Sequence, residues 1–267
     1  MKTETLTKTF KTGKIRQNLI LTVVLMFSAL SILTSNARAQ IKNIVLVHGA
    51  FADGSGWEGV YKILKSDGYN VSVVGNPDTG VPDDIAATKR VLAMQDGPVI
   101  LVGHSYGGTV ITEAGNDPKV AGLVYVAAFA QDQGESIIKL AQAGPPDTSH
   151  NTLPPKDGFV WYDLAKFHSG FCADLPNDLA DFMAHSQLPL AASAFAYEMG
   201  TPAWKTKPSW YIVATQDHTI PPDAERFMGK RAGSKVTEIK GSHVVFISHP
   251  KEVAAIIETA AKNAPAK

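Results

Sequence analysis

The sequence predicts an α/β fold, a mostly parallel sheet flanked by helices with a helical cap insertion. Two observations carry this expectation. Short β-branched, apolar runs alternate with segments of helical period, the order that parallel strands and their crossover helices require. One long stretch, about residues 132–207, breaks that alternation and differs in composition from the rest.

Asn43-Ile44-Val45-Leu46-Val47 ends at His48-Gly49, a strand running into a turn. Trp57, Val60, Tyr61 and Leu64 then recur at helical spacing until Gly68 stops the helix. A second strand over 71–74, a second helix over 83–95 and a third strand over 99–102 follow, and the last leads straight into Gly103-His104-Ser105-Tyr106-Gly107. After a helix over 109–114, residues 121–128 form an all-apolar run of the kind a strand covered on both faces needs. Strands over 210–215 and 236–239 and a helix over 251–262 close the chain. The interrupting stretch holds seven prolines and nine of the 22 aromatic residues, so it reads as a mostly helical cap over the carboxyl ends of the strands.

At 267 residues and 45% apolar composition the chain can bury one sizeable α/β core. The net charge of zero conceals an asymmetry: residues 1–39 carry six Lys or Arg against the single acid Glu4, leaving nineteen bases and twenty-four acids beyond. A mildly acidic body offers no footprint for nucleic acid. A basic start, an apolar run over 19–33 and Ala37-Arg38-Ala39 before Gln40 read as an export signal cleaved after Ala39. The apolar run is shorter than the roughly twenty residues of a membrane span, so no stable insertion is expected after cleavage; a retained anchor is the alternative. Cys172 is the only cysteine, which removes internal disulfides and multi-cysteine zinc sites and leaves a buried thiol as its expected state.

Gly103-x-Ser105-x-Gly107 between a buried strand and a helix is the pattern of a nucleophile elbow, whose tight turn thrusts the serine out above the sheet. A serine hydroxyl is a poor nucleophile at neutral pH and needs a base in hydrogen-bond reach, with a carboxylate to fix the tautomer of that base. His243, after the strand over 236–239, and Asp217, after the strand over 210–215, both leave the same sheet edge as Ser105. His218 and His249 compete as base and Asp132 competes as acid. The oxyanion donors expected are the amides of Tyr106 and, in the turn after the first strand, Ala50; His48 reads as a structural residue of that turn. Gly54-x-Gly56-x-x-Gly59, with Asp78 about twenty residues on, matches the dinucleotide fingerprint in letters. It starts six residues past His48, where the fingerprint demands a tight turn, so no cofactor is expected. No metal is expected either, since no His-Glu-x-x-His or similar spacing occurs.

Val45-Leu46-Val47-His48-Gly49-Ala50, Gly103-His104-Ser105-Tyr106-Gly107-Gly108, the loop at Asp217 and Gly241-Ser242-His243 resemble the α/β-hydrolase superfamily. Within it they are similar to the branch of plant methyl-ester hydrolases and hydroxynitrile lyases. The resemblance implies Ser105, Asp217 and His243 as triad, in the chain order of that fold, with Ala50 and Tyr106 as oxyanion donors. Lyases of this branch carry threonine and lysine where this chain has Gly49 and Val244. Dehalogenases and epoxide hydrolases of the same fold carry aspartate at the elbow. The resemblance therefore implies a carboxylesterase-like serine hydrolase; a small, fairly apolar ester is the expected substrate, and the export signal alone is the ground for expecting the protein in the periplasm or medium. Lactone, amide or C–C bond hydrolysis, perhydrolysis and a receptor-like binding role stay as alternatives. Nothing in the sequence sets an oligomeric state.

Overall fold

The computed structural model describes residues 40–143 and 151–265; the segment 1–39, expected to be an export signal, lies outside the described residues. Six parallel strands form one sheet in the order β2-β1-β3-β4-β7-β8. They are β1 (Asn43–Val47), β2 (Asn70–Val74), β3 (Val99–His104), β4 (Val120–Val126), β7 (Ser209–Ala214) and β8 (Lys235–Ile239). β1, β3, β4 and β7 are buried along their whole length. Their near-continuous apolar runs follow from having helices on both faces, and each fully buried Val, Ile or Leu contributes about 1.5–3 kcal/mol. The outer strands read differently. β8 exposes Lys235, Val236, Thr237 and Glu238, and charge on an edge discourages pairing with another chain.

The helices are α1 (Glu58–Ser66), α2 (Val81–Ala93), α3 (Gly107–Ala114), α4 (Ile137–Ala143), α5 (Leu164–Phe171), α6 (Asn177–His185), α7 (Ala192–Ala196), α8 (Pro222–Arg231), α9 (Val245–Ser248) and α10 (Pro250–Asn263). α1 and α10 pack together on one face of the sheet, and α2 packs on α3. Tyr125 of β4 and Tyr211 of β7, paired in register, stack with ring centroids 5.7 Å apart. The Tyr125 hydroxyl lies 3.0 Å from Thr112 Oγ1 of α3, and the Tyr211 ring packs against Gly229 of α8, so α3 and α8 share the other face.

Between β4 and β7 the described residues form α4 to α7 and a two-stranded antiparallel ribbon, β5 (Phe159–Val160) with β6 (Leu190–Ala191). Strands of two residues leave no periodicity to read, which is why the ribbon is invisible in the sequence. The helix α8 is also absent from the sequence-based expectation. Its segment is strongly polar, but Pro222 opens it, Asp223 and Glu225 lie in the first turn and Lys230 and Arg231 in the last, the charge order that complements a helix dipole. Among the described residues no helix is long and apolar enough to cross a membrane.

Candidate active site

Strand order reverses between β1 and β3, since the chain steps outward from β1 to β2 and then from β3 through β4 to β7 and β8. Open α/β sheets bind ligands at the carboxyl ends of strands beside such a switch point. Ser105 follows β3 there, with φ +52, the left-handed region that a tight elbow imposes on a non-glycine residue. The flanking glycines are required by space: a Cβ on Gly103 would come 2.6 Å from Gly107 O, and one on Gly107 would come 2.6 Å from His48 O. The elbow is thus wedged against the turn after β1.

His243 Nε2 lies 2.8 Å from Ser105 Oγ, and His243 Nδ1 lies 2.5 Å from Asp217 Oδ2. All three residues are buried. A carboxylate only accepts, so Nδ1 carries the proton and Nε2 is left to accept from the serine hydroxyl. Asp217 Oδ1 takes the amides of Thr219 (2.6 Å) and Ile220 (2.9 Å), an Asx-type turn that fixes the carboxyl. Tyr106 follows Ser105 in the elbow, and Ala50 follows Gly49, where a Cβ would lie 2.7 Å from Ser105 Cβ. The Phe51 amide is committed to Leu188 O at 3.1 Å, whereas among the described residues the Ala50 and Tyr106 amides meet no acceptor.

The competing residues lie elsewhere. His218 is exposed with Nδ1 at 3.0 Å from Ser169 O, His249 bonds Ser248 Oγ at 2.9 Å, and Asp132 pairs with Lys205 Nζ at 2.5 Å. His48 Nε2 accepts the Asn76 amide (2.9 Å), so Nδ1 donates to Gly49 O (2.9 Å) and the ring ties the β1 turn to the β2 loop. The glycine-rich segment is a 3-10 turn, Gly54–Trp57, running into α1. Gly56 there lies against Phe246, and Gly59 in α1 lies against Pro250, so both serve close packing. Among the described residues no three His, Cys, Asp or Glu side chains converge on a metal position.

A family model described as the alpha/beta hydrolase family matches residues 44–256. The chain belongs to the alpha/beta hydrolase family. Among its relatives, a carbendazim hydrolyzing esterase from Nocardioides sp. (strain SG-4G) is 32% identical over 157 residues, 53% of this chain and 63% of that one. Polyneuridine aldehyde esterase from Rauvolfia serpentina is 26% identical over 253 residues, covering 82% of this chain and 95% of its own. The crystal structure of a pyrethroid hydrolase from Sphingobium faniae JZ-2 superposes with a TM-score of 0.71 at 23% identity, over 83% of this chain and 98% of that chain.

Around this candidate site lie groups that the sequence alone does not reveal. His104 Nε2 donates to His243 O (2.9 Å), and burial, reinforced by the His243 imidazole, holds the His104 ring well below the usual histidine range. Asp84 accepts the Tyr106 hydroxyl (2.5 Å) and the Asp78 amide (2.9 Å). Asp78, which enters the sequence analysis only as part of a cofactor fingerprint, is fully buried and its carboxyl oxygens have no partner among the described residues. Burial first, and Asp84 second, push that carboxyl up to about 8. Glu225 of α8 is equally buried and accepts the Ala214 amide (3.0 Å). Burial and then the adjacent Asp217 push its carboxyl well above the usual range. The one readable hint is a glutamate among the few residues of α8 that its helical face turns inward.

Proposed function

We propose that the chain is a serine carboxylic-ester hydrolase that works through an acyl-enzyme on a small, fairly apolar ester. The observation that carries this reading is the continuous relay from Ser105 Oγ through His243 to Asp217 at 2.8 and 2.5 Å. Ser105 Oγ attacks the ester carbonyl carbon while its proton passes to His243 Nε2. Asp217 stabilises the imidazolium, and the free amides of Ala50 and Tyr106 receive the oxyanion. Collapse of the tetrahedral species breaks the C–O bond, and His243 returns the proton to the departing alkoxide. Water then adds to the acyl carbon by the same proton route and releases the acid. Two features weigh against the lyase alternative: Val244 is buried and apolar, and a Cβ on Gly49 would lie 2.7 Å from Ser105 Cβ. The esterase names of the relatives support the choice of bond.

The segment over about 132–207 is proposed as a cap on this site. Phe171 edges onto the His243 ring at 5.0 Å between centroids, and the Ala191 amide bonds Asp78 O at 2.9 Å. Residues 1–39 are proposed as a removable export signal; directly after the expected cleavage point Gln40 bonds Tyr69 and Ile41 bonds Ala261, which ties the start of the mature chain to the body. The mature mass from a secreting host decides this, with a chain starting at Gln40 expected and an intact amino terminus contrary to it. For the chemistry, short p-nitrophenyl esters are expected to turn over with wild type and to lose at least about 10³-fold in kcat with Ser105→Ala. Equal inertness of the two proteins overturns the esterase reading.

A further inference from the structure

The loop carrying His243 is held from two directions. From the sheet side, His104 fixes the His243 carbonyl. From the segment between β4 and β7, the carboxylate of Asp174, in the turn joining α5 to α6, grips the residue immediately before the histidine. Asp174 Oδ2 accepts the Ser242 amide at 2.9 Å and the Ser248 hydroxyl at 2.8 Å, and Oδ1 accepts the Ser242 hydroxyl at 2.5 Å. Three donors, two from Ser242 and one from the end of α9, converge on one side chain. Packing leaves little slack there: a Cβ on Gly241 would come 2.9 Å from Val245 Cγ2 and 3.3 Å from Asp174 Oδ2.

The same stretch also touches the acid loop. Thr219 Oγ1 donates to Gly170 O at 3.0 Å, and His218 Nδ1 donates to Ser169 O at 3.0 Å. Phe171 packs edge-on against the His243 ring. Residues 169–174 therefore bridge the two loops that bear the base and its carboxylate, although they belong to neither strand end.

We propose that Asp174 is a positioning residue for His243, holding the Ser242–His243 backbone from the insertion so that the imidazole stays registered between Ser105 and Asp217. This rests on the hydrolase reading above and adds to it a dependence of the base on a segment outside the sheet. Burial pushes the Asp174 carboxyl up, but the Ser242 and Ser248 donors outweigh it and hold the group below the usual range, so the gripping form is the charged one at neutral pH.

The test compares wild type with Asp174→Ala, Asp174→Asn, Ser242→Ala and the Asp174→Ala/Ser242→Ala double variant. Its readouts are p-nitrophenyl ester kinetics, thermal melting, and the low-field proton NMR signal of His243 Nδ1–H. Because displacing a catalytic group by about 1 Å costs on the order of 10²-fold, Asp174→Ala is expected to lower kcat roughly 10- to 100-fold with KM nearly unchanged. Ser242→Ala is expected to lose less, and the double variant no more than Asp174→Ala alone, since both act through one contact. The low-field signal should broaden or shift in Asp174→Ala and persist in Ser105→Ala. Wild-type kcat and an unmoved signal in folded Asp174→Ala overturn the proposal, as do fully additive losses. Should Asp174→Ala fail to fold, Asp174→Asn and Ser242→Ala are measured by kcat and by the low-field signal in its place: a lowered kcat with a moved signal supports the proposal, and wild-type values of both overturn it. Absence of any Ser105-dependent turnover in wild type sinks the hydrolase reading, while the NMR signal still reports whether Asp174 sets His243.

Discussion

On the β7 side of Ser105, Asp217 faces Glu225; on the β2 side, Asp84 faces Asp78. Both are buried carboxyl pairs, and two adjacent carboxyls out of water cannot both ionise without a large penalty. Each pair places more of its hydrogen-bond donors on one member: among the described residues Glu225 keeps only the Ala214 amide and the Asp78 carboxyl keeps none. Asp217 receives Thr219 N, Ile220 N and His243 Nδ1, and Glu225 is the member whose carboxyl is raised. Asp84 receives the Tyr106 hydroxyl and the Asp78 amide, and Asp78, with no donor on its side chain, is pushed up to about 8. The difference lies in what the donors belong to. On one side they include the proposed base, so the proposed role of the carboxyl is to act on the reacting groups. On the other they are the phenol of Tyr106 and the Asp78 amide, so the pair acts as an anchor beneath a residue whose amide is the proposed oxyanion donor.

The largest expected effect separates these two roles. Asp217→Asn leaves the turn but forces the wrong imidazole tautomer, and kcat should fall by about 10⁴-fold with KM little changed. Asp132→Asn, whose carboxyl is engaged by Lys205 away from the site, should stay within about twofold by the same assay. A reversal of those two results would move the triad acid to Asp132.

Next in size is a pH effect on stability. In the folded chain Asp78 holds its proton to about 8, whereas unfolded it releases it near the ordinary value of 3.8. The folded state then binds more protons between those values, so its stability is fully present below about pH 4 and drains as pH rises to about 8. Asp78→Asn removes this slope. Urea melts should show the variant equal to wild type near pH 4 and more stable by about 2–4 kcal/mol near pH 9, and parallel curves would break the comparison.

The smallest effect belongs to Glu225→Gln. With Glu225 as the neutral member of its pair, an amide of the same shape keeps the Ala214 contact and adds no charge beside Asp217. Turnover at pH 7 should remain within about threefold of wild type, and a loss of 10²-fold would mean that a charged Glu225 takes part in the relay.

The elbow, the strands and the edge from which Asp217 and His243 emerge were legible from residues close together in the chain. Gly103, Ser105 and Gly107 are dictated by steric crowding within five positions, and the apolar runs of β1, β3, β4 and β7 follow from burial on both faces. Chain order and strand ends singled out His243 and Asp217 in the sequence, but the meeting of Ser105, His243 and Asp217 in one relay and the grip on the loop that bears His243 follow from no local residue. Those contacts span 138, 26 and 68 residues. Strand order and the packing of the insertion bring such groups together, and no local propensity encodes them. The same holds for the protons of Asp78 and Glu225: a carboxyl letter in the chain carries no record of the water it will lose, and burial, which comes only with the folded packing, assigns the charge.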